Sequence, residues 1–134
     1  MVVETITLKL PENLYRRLVN HADATSRPLE DVILHALTVG SPPIWEDVPA
    51  EYQTTLAEMD RLDNEALWGI VTSHKTVAEM ARYDELLEKN KQDRMSEAER
   101  SELNRLRSEA DQFMLRKAHA AALLRWRGHP VPYP

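Results

Sequence analysis

Cysteine is absent from this chain, phenylalanine occurs once and glycine only three times in 134 residues. Each shortage removes a class of chemistry. Without cysteine there is no disulfide, no thiolate zinc site and no thiol nucleophile. Gly40, Gly69 and Gly128 are too scattered to form a glycine-rich phosphate loop. No run approaches the roughly 18 apolar residues needed to cross a bilayer. Met1-Val2-Val3-Glu4 has no basic start of a secretory signal, so the expectation is a cytoplasmic protein without membrane contact.

The polar residues do not assemble into a catalytic pattern either. His21, His35, His74, His119 and His129 include no pair at the four-residue spacing of a helical metal site. No serine lies in a nucleophile elbow. The expectation is a non-enzyme with neither metal nor cofactor. At 43% hydrophobic and 29% charged residues, the composition suits one folded helical unit or two very small ones.

The clearest local pattern is Thr5-Ile6-Thr7-Leu8-Lys9-Leu10-Pro11, which alternates with the period of a strand. Ile6, Leu8 and Leu10 share one face; Thr5, Thr7 and Lys9 share the other. No second strand pattern occurs in the chain, so the expected pairing partner is the same strand of another copy, giving a two-stranded ribbon and an obligate dimer. Pro11 stops the strand. Leu14, Leu18 and Ala22 then recur at helical spacing. Ser26 as N-cap and Pro28 in the first turn open a second helix, with an apolar stripe of Leu29, Val32, Ile33, Ala36 and Leu37, ended by Gly40 and Pro42-Pro43. About 40 residues cannot bury a stable core alone. Ile6, Leu8, Leu10, Leu14, Leu18, Val32, Ile33 and Leu37 are the candidate dimer core.

This order, from Glu4 to about Gly40, resembles the ribbon-helix-helix family of dimeric DNA-binding proteins, many of them antitoxins that repress their own operons. The resemblance implies that Thr5, Thr7 and Lys9 enter the major groove of operator DNA and that the start of the second helix, with Arg27, meets phosphate. From Met1 to Gly40 the chain holds four basic and five acidic residues, net −1. Phosphate neutralisation is the main source of DNA affinity, so the alternative is a ribbon kept for dimerisation alone.

Beyond Gly40, residues 41–49 form a proline-rich link with Ile44 and Trp45 as apolar anchors, and residues 50–134 read as helical. The expected segments are about Ala50 to Leu62, a second capped by Asp63, and a third from Val77 to Lys91. The last runs from Glu97 to Trp126, opened by a Ser96/Glu99 capping box and about 45 Å long. The third segment is the antiparallel mate of the last, but covers only half of it. From Phe113 onward there is surplus apolar surface for the dimer mate, for the preceding helices or for another protein. This distal part carries Arg116, Lys117, Arg125 and Arg127 without a carboxylate, whereas Ser41 to Met95 is net −6. Alternating prolines after Gly128 suggest an extended strip carrying Trp126, Val131 and Tyr133, either groove-binding or frayed.

The stretches Tyr83 to Asn90, Leu115 to Ala118 and Leu124 to His129 are similar to the C-terminal region of small bacterial proteins encoded beside predicted nucleases. That likeness implies a paired protein partner, a toxin or a nuclease such as a His-Asn-His-type endonuclease, and carries over no catalytic residue. The expected fold is therefore mainly α: a ribbon-helix-helix module at 1–40, the link at 41–49, and a helical partner-binding region at 50–134. The expected function is that of a dimeric antitoxin-like protein. It binds its partner through Phe113, Arg116, Lys117, Leu124, Trp126 and Tyr133, with operon autorepression through the ribbon. The alternative is a dimeric adaptor that does not bind DNA.

Overall fold

Pro11, with its ring-fixed φ of −57°, opens the first of six helices in a computed structural model that describes residues 2–132. The helices are α1 (Glu12–Thr25), α2 (Leu29–Val39), α3 (Ala50–Met59), α4 (Asn64–Val71), α5 (Val77–Lys91) and α6 (Glu97–Trp126). They fall into two compact units, Met1–Ser41 and Pro42–Pro134.

The fold is mainly α, but the expected ribbon is not part of it. No strand occurs among the described residues, and residues 2–10 lack regular secondary structure. Alternation specifies which side chains would share a face; it does not supply the neighbouring strand from which a strand draws its hydrogen bonds, and the described residues contain none. The ribbon-helix-helix assignment is corrected accordingly, and the first unit is a helical hairpin preceded by an irregular segment. Ile6 and Leu8 are 75% and 56% exposed in that segment.

A second correction concerns Ser26. It caps the C-terminus of α1 rather than the N-terminus of α2, adopting the left-handed conformation at φ 54°. The Ser26 amide donates to Asp23 O and the Arg27 amide to Ala22 O, the paired bonds of a Schellman motif. Pro28 then takes the N-cap position of α2. α1 and α2 pack against each other, with Leu14, Leu18, Leu29, Val32 and Ile33 half-buried. Ala22 is the only buried side chain described in this unit, while Leu34 and Leu37 are each 54% exposed.

The second unit is built on α6. α4, α3 and α5 all pack along it, α4 most extensively. Leu56 and Met59 of α3, Leu67 of α4, and Ala120, Leu123 and Leu124 of α6 form its core, flanked by Trp45, Val48, Trp68 and Ile70. The surplus surface of distal α6 is thus covered largely by α3 and α4. Farther up, Leu86 of α5 and Leu103 of α6 are buried where these two helices meet. The local signals act as their chemistry requires: Asp63 accepts from the Ala66 amide at 2.8 Å. Ser96 and Glu99 form the reciprocal capping box.

Candidate partner-binding surfaces

The end of α6 is tied to the α3–α4 turn by side chains far apart in sequence. Arg127 donates through Nη1 to Leu62 O at 2.7 Å and to Asn64 Oδ1 at 3.0 Å, and through Nη2 to Asp60 O at 3.2 Å. With Asn64 Oδ1 engaged by Arg127, its Nδ2 faces His129 Nε2 at 2.9 Å. An amide NH2 only donates, so Nε2 of His129 is the acceptor. Beside this knot, Asp60 accepts from Trp45 Nε1 at 3.0 Å through one carboxylate oxygen and meets His119 Nε2 at 3.1 Å through the other. His119 is buried, at 7% exposure. The carboxylate can only accept, which puts the proton of His119 on Nε2. These groups satisfy one another and hold the core together.

The segment after α6 departs from the extended strip. Gly128, at φ 97°, turns the chain back, Val131 joins the core, and Arg125 donates to Val131 O from Nε and Nη2 at 3.2 and 3.1 Å. Val131, an apolar residue of the expected strip, is thus packed into this unit's own core, with Arg125 over its carbonyl. Tyr133 lies outside the described residues.

Among the other expected partner-binding residues, Leu124 is fully buried and belongs to the core, because the α3 and α4 side chains close over this turn of α6. Trp126 is 52% exposed. Phe113, Arg116 and Lys117 come together with a residue that the sequence does not single out, Lys75, in the connection between α4 and α5. The ammonium groups of Lys75 and Lys117 each lie 5.5 Å from the centre of the Phe113 ring. Arg116 is half-buried, and its Nε is buried without a hydrogen-bond partner. Lys75 escapes sequence reading because only the packing of the α4–α5 connection on α6 brings it to Phe113.

Of the expected DNA-binding residues, Thr5, Thr7, Lys9 and Arg27 are all exposed. No ladder aligns the first three. The expected dimer core residues Leu10, Leu14, Leu18, Val32 and Ile33 are half-buried, and Ile6, Leu8 and Leu37 are exposed.

Charge pairs bind α5 to α6. Arg82 forks onto Glu102 at 2.8 and 2.7 Å, and Lys89 reaches Glu99 at 2.6 Å. The Lys89 hydrogen bond, helped by the Ser96 amide, holds the Glu99 carboxyl at about 2. Its counterpart, Lys89, is raised above its ordinary value by the same bond, Glu102 is lowered by Arg82, and Arg82 is raised by Glu102. Toward the start of α5 a cavity of about 430 Å³ opens between the helices, lined by Ala78, Met80, Tyr83, Leu106 and Ala110 among others. A second of about 280 Å³, sharing Lys75, Glu79 and Glu109 with the first, is lined by His74, Gln112, Phe113 and Arg116. Among the described residues no group of three or more His, Asp or Glu side chains is placed to hold a metal ion. None of the described helices is long and apolar enough to cross a membrane.

Comparison with family models, with curated proteins and with solved structures finds no match to this chain.

Proposed function

We propose that this chain is a dimeric, antitoxin-like binding protein: its first unit completes a core with a second copy of itself, and its second unit holds a cognate protein partner. One observation carries the reading. The first unit packs two helices against each other yet among its described residues buries only Ala22, and leaves Ile6, Leu8, Leu34, Leu37 and Val39 each more than half exposed. Apolar surface contributes roughly 25 cal/mol per Å² when removed from water, and a unit of about 40 residues that leaves so much of it wet has little to offset its chain entropy. A second copy offers the same surface and covers both at once through a two-fold contact.

The net charge of −1 over Met1 to Gly40 supports a role in assembly over one in operator binding. The test is the mass of the full chain by light scattering at micromolar concentration. The expected result is twice the 15.5 kDa of the chain; a monomer across the whole concentration range overturns the proposal.

A further inference from the structure

The groove between α5 and α6 has two chemically different ends that share a wall. One end is apolar: Met80, Tyr83, Leu106 and Ala110 line the larger cavity, and Met80 remains 55% exposed beside it. Its volume of about 430 Å³ falls within the range of sites that take several side-chain-sized groups. Methionine at such a rim adapts to differently shaped partners.

The other end is basic once internal pairing is taken into account. Glu102 is held by Arg82 and Glu109 by Arg105 at 3.1 Å, so the negative charge left there is that of Glu79, whose carboxylate accepts only from the neutral Thr76 hydroxyl at 3.1 Å. Lys75, Arg116 and Lys117 have no carboxylate partner among the described residues, and His74 lines the same cavity. Desolvating this end against anything but an anion costs free energy; an approaching carboxylate offsets it.

We infer that this groove is the partner site, and that its occupant is an acidic amphipathic peptide segment whose apolar face lies on Met80, Tyr83, Leu106 and Ala110 and whose carboxylates meet Lys75 and Arg116. The inference rests on the reading of the second unit as the partner-binding half and names the partner's chemistry. The segment docks as a helix or turn in a groove, with apolar anchors giving affinity and the charged end fixing its direction.

The test is selection from a displayed random peptide library against the full chain, followed by titration of the selected peptides. The expected outcome is enrichment of peptides with apolar residues next to an Asp/Glu-rich end. Binding should fall at least about tenfold in Lys75→Glu/Arg116→Glu and in Met80→Asp, both checked for native helix content by circular dichroism. The Lys75→Glu/Arg116→Glu protein should in turn prefer the same peptides with their acids changed to lysine. No enrichment, enrichment of peptides without acids, indifference to both variants, or capture of a DNA duplex in preference to any peptide would each overturn the inference. The Leu34→Asp/Leu37→Asp protein should bind the selected peptides unchanged, so failure of the groove and failure of dimerisation give separate results.

Discussion

The guanidinium of Arg127 donates to the carbonyl of Leu62 at 2.7 Å, across 65 positions of sequence. The same group also holds Asn64 Oδ1 and Asp60 O, so one side chain satisfies three acceptors of the α3–α4 turn. Arg127→Ala leaves these acceptors without their charged donor and should lower the stability of the second unit by about 2 kcal/mol, taking about 1.5–3 kcal/mol for hydrogen bonds to a charged group. Lysine cannot reproduce the fork, so Arg127→Lys should recover only part of the loss. Urea unfolding of the two variants checks this; midpoints equal to that of the unmodified protein would contradict it.

Truncation after Gly128 removes Val131 from the core and His129 from Asn64. The shortened chain should therefore melt at a lower temperature with less cooperative loss of α6 helicity. Leu124→Ala, at a fully buried position, should cost about 2–5 kcal/mol. A truncated chain that melts as the full one does would mean that the C-terminal segment is dispensable to the fold.

The Lys89–Glu99 pair has a defined pH window. The folded value of Glu99, about 2, lies below its ordinary 4.5; its contribution is complete above the ordinary value and is lost as pH falls through about 2. Lys89 is raised above its ordinary 10.5, so its contribution is complete below that value and is lost as pH climbs through the raised one. Both side chains keep contact with solvent, which makes the effect small and sensitive to salt. Glutamine at this position still serves the capping box, so Glu99→Gln isolates the ion pair from the cap. It should flatten both limbs of the stability profile at low salt, while Arg82–Glu102 maintains part of the acid limb. An unchanged profile would assign Glu99 to capping alone.

Leu34 and Leu37 are more than half exposed on α2. If nothing covers them, aspartate there is nearly neutral. In a dimer core it buries an unpaired charge. Leu34→Asp/Leu37→Asp should therefore convert the proposed dimer to a monomer and lower the helix content of α1 and α2, leaving the second unit folded. Sedimentation velocity that finds the variant still dimeric would move the contact elsewhere.

What could be read from sequence was local. The bounds of α5 and α6, the caps at Asp63 and Ser96, and the stop at Gly40 all depend on neighbours within a turn or two, and the structure has them there. The ribbon failed for the complementary reason: alternation at Thr5 to Leu10 is a local pattern, but a strand is a non-local object. Ser26 suits either end of a helix, and the bonds that Ser26 and Arg27 make back into α1 decide between them. Asp60 with Trp45 and His119, Val131 in the core, and Lys75 over Phe113 join residues tens of positions apart, for which neither period nor spacing leaves a trace.

In the proposed dimer, the first unit gains its core only from a second copy. Amide hydrogen exchange of the full chain at two protein concentrations, followed for α1 and α2 separately from α6, tests it most directly. Because dimerisation stabilises by mass action, protection of α1 and α2 should rise with concentration while that of α6 stays constant. Protection of α1 and α2 that is the same at both concentrations, in a chain whose measured mass is that of a monomer, would contradict it.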